Sequence, residues 1–593
     1  MNKLFFLCAP LVLTSFWSEP RQIPAETPPI EFFPAETLAL VEVRGAGTWL
    51  TRARVDRLVE LARERGWLDT TQRRKLVGAL GFAQLTVGIE PVDRIGQLAA
   101  EGLVIGMLPN ATRPAYVLVM EGRDAETLED TLSVLLELLE NKFDVKGQFQ
   151  TPHTSPHGAE VWNLGDKFAV ARLGATLLAA QDEATLERLL DQAAGETPGL
   201  LESANFTRAE EAAQLSLWFD LADTKAHAEQ YDLDAKKLQN LAKLPGIPQV
   251  QFLVGPGIAD LGSAERFTAS VTFDAAGIGA ELRGLYPTVH TGLEPDGGAP
   301  PRTLASAGAL ASGHFYRDLA GIVSRRNELF APELQPKFSK ALGDLALLFG
   351  GMQLDDDLLP AIEPWVEVTV HDMDFGSRPR PDLALPGVAL ILTVDPALRD
   401  TLVAGFQTTL GITNTQRTQN GEAAFTMGLA LESGVLITSG HQPRPQPGEA
   451  VDNSFNLAPS AAYVEGPAKG WFVLGTHEAI VGAVVRELLA RGSDEASPGP
   501  RAEELYVDAG ALAALVRTSR DHLAMQAVLD EGKSFEEAAG ELDVLASVID
   551  TFQQARLAVE YLAGGDVRLG LQLDLRVPFE LKPLAAKSDA ERR

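Results

Sequence analysis

The chain repeats itself, and no other feature constrains its fold as strongly. Pro34-Ala-Glu-Thr37-Leu38-Ala39 returns as Pro300-Pro-Arg-Thr303-Leu304-Ala305. Pro114-Ala-Tyr-Val-Leu-Val-Met returns as Pro386-Gly-Val-Ala-Leu-Ile-Leu. Asp182-Glu183-Ala184 returns as His477-Glu478-Ala479, and Leu217-Trp-Phe-Asp220 as Leu505-Tyr-Val-Asp508. The order is kept while the spacing drifts, as insertions in surface loops would produce. Two copies of one fold are therefore expected.

The length of 593 residues suits two domains rather than one core. Hydrophobic residues make up 45% and charged residues 22%, which is ordinary globular material. A formal net charge of −30 repels phosphate backbones and anionic lipid, so nucleic acid is not an expected partner. Cys8 is the only cysteine. It falls inside an N-terminal apolar run, so removal of that run leaves no disulfide, thiolate nucleophile or cysteine metal ligand.

That run has the form of an export signal. Lys3 provides positive charge, Leu4 to Leu13 is apolar, and Thr14, Ser15 and Ser18 follow. It is shorter than the ~20 residues of a spanning helix. Residues 1–18 are read as a signal peptide and the protein as exported, periplasmic or secreted, with no transmembrane span in the mature chain. An uncleaved segment serving as an anchor is the second reading.

Residues 19–33, with Pro20, Pro24, Pro28 and Pro29, read as an extended leader. A first module follows over 34–286, a linker over 287–300, a second module over 301–580 and a charged tail over 581–593. In the first module Trp49 to Gly66 has helical spacing, Leu103 to Met107 and Tyr116 to Met120 have strand length, and Asp124 caps a helix. Gly174 punctuates a hairpin, a helix starts at Glu183, and Phe267–Phe273 with Ile278–Leu282 forms a closing hairpin. The second module repeats these steps and ends on a hairpin turning at Gly564-Gly565-Asp566. Its inserts at 375–386, 441–459 and 492–500 read as surface loops. Strands follow one another without a steady βαβ rhythm. The expected class is α+β: two homologous tandem modules, each a mainly antiparallel or mixed sheet with helices on one face.

The opening Pro34-Ala-Glu-Thr-Leu-Ala-Leu-Val-Glu-Val43 resembles the start of an exported bacterial family common in planctomycetes, known as a domain of unknown function. Gly351-Met-Gln-Leu-Asp-Asp-Asp-Leu-Leu-Pro360, leading into Trp365-Val-Glu-Val-Thr-Val370, is similar to that family's central motif. Gly88-Ile-Glu-Pro-Val-Asp93 is a weaker copy without Leu-Leu-Pro. The resemblance covers most of residues 34–580 and implies export and a tandem architecture. It brings no catalytic residues with it.

Two clusters could hold a metal. His153, His157 and Glu160 offer the imidazoles and carboxylate that zinc takes, although Pro152 and Pro156 keep them off one helical face, and an exposed loop is the competing reading. Asp355, Asp356 and Asp357 offer hard oxygen ligands, but in a contiguous run that suits an acidic helix start. Gly532-Lys533-Ser534 lacks the upstream glycine of a phosphate loop, and Ser534-Phe-Glu-Glu537 reads as a capping box. Gly255-Pro-Gly257 lacks the third glycine of a dinucleotide fingerprint and reads as a turn. Trp162, Trp218, Trp365 and Trp471 lie in or beside strands, where core packing competes with a sugar-stacking platform.

No recognised catalytic motif is present in the sequence. The expected function is a non-enzymatic exported binding or scaffold protein of the envelope, taking an envelope protein or an apolar or glycan ligand without a cofactor. Paired modules can form a ligand groove between them. The alternative is an exported carboxylate-dependent hydrolase, with or without a divalent cation.

Overall fold

In the computed structural model, the described residues are 22–24, 27–49, 91–110, 113–143, 152–163, 168–210, 212–227, 263–274, 276–285, 309–329, 335–348, 352, 354–373, 385–443, 457–491, 502–562 and 565–576. The export signal, most of the helix expected over 49–66, Gly255–Gly257, the linker, Thr303–Ala305, the charged tail and most of the three inserts lie outside them. The chain divides into two compact units. The first is built on the described parts of Met1–Glu64, Leu68–Leu238 and Glu265–Thr272, and the second mainly on those of Phe273–Arg593.

Among the described residues, nine strands make the first unit: β1 (Ala39–Arg44), β2 (Gly102–Leu108), β3 (Ala115–Glu121), β4 (His153–Thr154), β5 (Glu160–Asn163), β6 (Ala169–Leu173), β7 (Thr176–Ala180), β8 (Leu215–Asp220) and β9 (Arg266–Phe273). Every pairing is antiparallel, in the order β4-β5-β6-β7-β3-β2-β1-β8-β9. The expected punctuation is in place. The Asp124 carboxylate accepts from Thr127 N at 2.7 Å and starts α1 (Ala125–Phe143). Asp182 accepts from Thr185 N at 2.7 Å and starts α2 (Glu183–Ala193). Gly174, at φ +59°, turns β6 into β7. Asp220 ends β8 and caps α3 (Leu221–Ala226), accepting from Asp223 N at 2.8 Å.

Among the described residues, eleven strands make the second unit: β10 (Gly277–Leu285), β11 (Ala309–Tyr316), β12 (Ile362–His371), β13 (Gly387–Val394), β14 (Thr426–Glu432), β15 (Val435–His441), β16 (Ser460–Glu465), β17 (Gly470–Gly475), β18 (Ala502–Asp508), β19 (Phe552–Tyr561) and β20 (Val567–Leu575). They are again antiparallel, in the order β14-β15-β16-β17-β13-β12-β11-β18-β19-β20-β10. From β14 to β19 this order is that of the first unit, strand for strand. α4 (Arg399–Gln419) follows β13 as α1 follows β3, and α5 (Glu478–Arg491) follows β17 as α2 follows β7. Asp508 ends β18 and caps α6 (Ala509–Thr518) as Asp220 caps α3. Gly532, at φ +70°, ends α7 (Arg520–Glu531), and the Ser534 hydroxyl caps α8 (Phe535–Ile549), as the capping-box reading expects.

Three expectations change. Helices cover both faces of each sheet, not one. In the first unit α1 packs Leu128 and Leu132 on Val170 and Leu177, while α2 packs Leu186, Leu189 and Leu190 on Ala171 and Leu178. In the second, α4 packs Leu402 on Ala461, Tyr463 and Phe472, and α5 packs Val481, Val484 and Leu488 on Ala462, Val464 and Val473. Neighbouring residues of one strand point to opposite faces, so runs such as Ala169-Val-Ala, buried throughout, need cover on both. The extended leader, in turn, is core: Pro29–Phe32 forms a 3-10 turn, and Phe32 and Phe33 are fully buried beside Val104, Leu108 and Val117. Gly106 makes room for Phe33, since a Cβ there would lie 2.1 Å from the ring. Finally, β9 and β10 do pair as the expected closing hairpin, but β10 also pairs along its length with β20 and falls in the second unit.

Candidate functional site

The three residues offered as zinc ligands do not converge. His153 is exposed, and its Nε2 lies 2.9 Å from Glu183 Oε1. Glu160 accepts from Arg172 at 2.6 Å. His157 is buried, and its Nε2 lies 2.9 Å from Asp191 Oδ1 at the end of α2. Cross-strand pairing explains the separation: β4 and β5 alternate their side chains, and Glu160 faces Arg172 on β6. Asp355, Asp356 and Asp357 lie in a π-helical turn, Leu354–Leu358, with Asp356 and Asp357 exposed and Leu354 and Leu358 buried as its anchors. The tryptophans go to packing. Trp218 is buried edge-on to Phe206, Trp365 is buried edge-on to Tyr316, and Trp162 and Trp471 are half-buried against core clusters.

The C-terminal end of β15, away from the hairpin turn, gathers Ser439, His441 and Glu478. Ser439 Oγ lies 2.9 Å from His441 Nε2, and Glu478 Oε2 lies 3.1 Å from the same nitrogen. Ser439 also donates to Glu478 at 2.7 Å. A nucleophilic triad needs the hydroxyl and the acid on opposite ring nitrogens. Here both meet one nitrogen, so the cluster ties β15 to the first turn of α5. Glu183 does the same in the first unit, accepting from Asn163 at the end of β5.

Two rows of cross-strand partners separate the units chemically. One row of the first sheet reads Trp162, Val170, Ala179, Leu118, Ile105, Val41, Leu217 from β5 to β8. The matching row of the second sheet reads Thr438, Ala461, Leu474, Leu390, Val368, Gly313, Leu505. The sequence repeats anchor this match independently: Leu118 aligns with Leu390 and Leu217 with Leu505. Where the first unit packs Trp162 and Val170 under α1, the second has Thr438 and Ala461 under α4.

The smaller side chains leave a groove of about 610 Å³ between α4 and the β14–β15 hairpin. Val403 and Phe406 line its helix wall, and Leu436, Thr438, Ala461 and Tyr463 its sheet wall. Arg399, Asp400 and Glu465 stand at one end, where Arg399 pairs with Glu465 and its guanidinium lies 5.8 Å from the Tyr463 ring centre. Burial and the Glu465 carboxylate push the Tyr463 phenol above its usual pKa, so it keeps its proton and remains a donor. Leu429 and Leu431 on β14 pair across from Thr438 and Leu436, and extend the apolar wall into solvent at 67% and 73% exposure. A volume of this size, with mixed apolar and polar lining, suits a small ligand.

The adjacent row buries charge. In the first unit Glu42 sits between Val104 and Ser216 and accepts from Arg44 and Arg208, each at 2.7 Å. The matching positions in the second unit hold Glu367, His314 and Glu504. Glu367 accepts two hydrogen bonds from Arg491 at 3.0 and 2.9 Å, while Glu504 accepts from Tyr506 at 2.7 Å and from Arg556. Burial raises the Glu504 carboxyl, but the bonds from Arg556 and Tyr506 outweigh it and hold the group below its usual range.

The groove residues Thr438 and Ala461 were not visible as a site in the sequence. Their signal is a difference between two matching register positions, and it needs the hairpin register to be read.

No protein-family model matches the chain, and no curated protein does. Among solved structures, crystal form III of TP0453 matches at 10% identity with a TM-score of 0.24, over 45% of this chain and 82% of that one. Crystal form I of TP0453 matches at 9% identity and a TM-score of 0.22, over 44% and 80%. Likeness at this level carries no argument about function. No described helix is long and apolar enough to cross a membrane.

Proposed function

We propose that the chain is an exported, non-enzymatic binding protein of the cell envelope, in which one module has been duplicated and the second copy has opened a ligand site that the first keeps filled. The export signal and the resemblance to the exported planctomycete family support the location. The exchange of Trp162 and Val170 for Thr438 and Ala461 at matching register positions carries the binding site. Burial of apolar surface in the groove would drive binding, at about 25 cal/mol per Å² removed from water. The Tyr463 hydroxyl and the charges of Arg399, Asp400 and Glu465 at one end would orient the ligand. The ligand class is an apolar or amphiphilic small molecule.

The test is titration of the full chain with a fluorescent acyl-chain probe. Saturable binding at one site per chain, abolished by Thr438→Trp and unaffected by substitution of exposed Tyr116 in the first unit, is the expected result. Failure of the probe to saturate, or equal binding by Thr438→Trp, would remove the groove from consideration.

A further inference from the structure

A second site lies in the first unit, at the C-terminal end of α2. We propose that His157, Asp191 and Glu196 bind one first-row transition dication of the zinc class. One ligand atom from each lies within 4.8 Å of the other two, and the three come from two separate segments of chain.

The backbone builds this convergence. Gly195, at φ +72°, takes the left-handed conformation that ends a helix, and Glu196 N donates back to Asp191 O at 2.9 Å. That closure folds Glu196 over the last turn of α2, beside Asp191. His157 arrives from the β4–β5 turn, which is tied by Ser155 N donating to Ala159 O at 2.8 Å and Ala159 N donating to Ser155 Oγ at 3.0 Å. The imidazole is 5% exposed and holds its Nε2 toward the two carboxylates.

The electrostatics call for a cation. A helix C-terminus carries partial negative charge, and chains usually place Lys, Arg or His in the last turn. The last turn of α2 has no basic residue; it carries Asp191, and Glu196 follows just beyond the helix end. An imidazole with two carboxylates is a ligand set for zinc, manganese or nickel, whereas calcium and magnesium take oxygen almost alone. Zinc ligands at ~2.0–2.2 Å stand roughly 3.4 Å apart when tetrahedral, so the 2.9 Å His157–Asp191 contact need open only slightly. Three protein ligands leave a position for water or an outside ligand, on the side where Glu196 is exposed.

The test is calorimetric titration of the full, untagged, EDTA-treated chain with Zn²⁺, Mn²⁺, Ca²⁺ and Mg²⁺, with Co²⁺ absorption as a readout of coordination. Zn²⁺ should bind at one equivalent, and Ca²⁺ and Mg²⁺ should give no heat. Glu196→Gln alters an exposed side chain and should leave metal-free melting unchanged, while Asp191→Asn also changes the partner of buried His157 and is read against its own metal-free melting. Each should weaken Zn²⁺ binding by at least about tenfold, the scale on which even residues that only orient metal ligands act. A flat Zn²⁺ titration of the wild type, or undiminished binding by both variants, would overturn the site and leave His157–Asp191 as a simple hydrogen-bonded pair.

Discussion

Trp162 and Thr438 hold the same register position in two sheets of the same strand order, one opposite Val170 and the other opposite Ala461. The surroundings match in outline: a helix lies overhead, the strand order is the same, and a leucine stands three strands further on, Leu118 in one unit and Leu390 in the other. A large side chain fills the space under the helix in one unit, and a small one leaves a groove there in the other.

Thr438→Trp should fill the groove and eliminate binding of an acyl-chain probe at a cost of about 1–3 kcal/mol, since Thr438 is buried. The reverse change, Trp162→Thr, should cost about 2–4 kcal/mol, because α1 rests on that ring and cannot collapse onto the sheet. Urea unfolding of both variants, followed with probe titration, checks the pair. Destabilisation of Thr438→Trp by more than Trp162→Thr would contradict the register match.

Phe33→Ala should cost about 3–5 kcal/mol, although the sequence places it in a proline-rich leader. The ring is fully buried against Gly106, and no larger residue at 106 can replace it. Removal of residues through Phe33 should expose Leu108 and Val117 and produce binding of a hydrophobic dye. A truncated chain with native melting would show that the segment is dispensable.

The sequence made the caps, hairpins and repeat order legible because these are local: Asp124, Asp182 and Gly174 act within four residues of themselves. Faces were harder. A run such as Ala169-Val-Ala carries no alternation, so only the helices show that both of its sides are covered. The leader misled because proline content suggests extension, whereas Pro28 and Pro29 here start a turn that delivers two phenylalanines to the core. His157 stands out in the sequence, but its neighbours Asp191 and Glu196 do not, since a helix end brings them in from far along the chain.

Acid should destabilise the protein in two stages. Burial holds His371 below its ordinary 6.5, so the unfolded chain takes up that proton first and stability falls as pH drops below 6.5. Burial raises Glu42, but hydrogen bonds from Arg44 and Arg208 outweigh it and hold the carboxyl below 4.5; Glu504 follows the same balance. Their contribution is present above pH 4.5 and is lost as pH falls through the folded values. Urea midpoints from pH 7 to 3 should show a shallower lower stage in Glu42→Gln and a missing upper stage in His371→Asn. An unchanged profile in both variants would assign the acid sensitivity elsewhere.

Arg317 and Glu503 form the most deeply buried ion pair of the second unit among the described residues, both nearly inaccessible, with a second hydrogen bond of 3.1 Å between Arg317 Nη2 and Glu503 Oε2. Two opposing terms decide its worth. Taking both charges out of water costs several kcal/mol, and their attraction in the interior repays that only while both are present. Glu503→Leu should therefore cost about 3–5 kcal/mol by stranding the guanidinium, and Arg317→Met a similar amount by stranding the carboxylate. The double variant, in which neither charge remains, should recover most of that loss, giving a large coupling energy in the cycle. Additive losses would mean that the two residues are held by other contacts and that the pair itself contributes little.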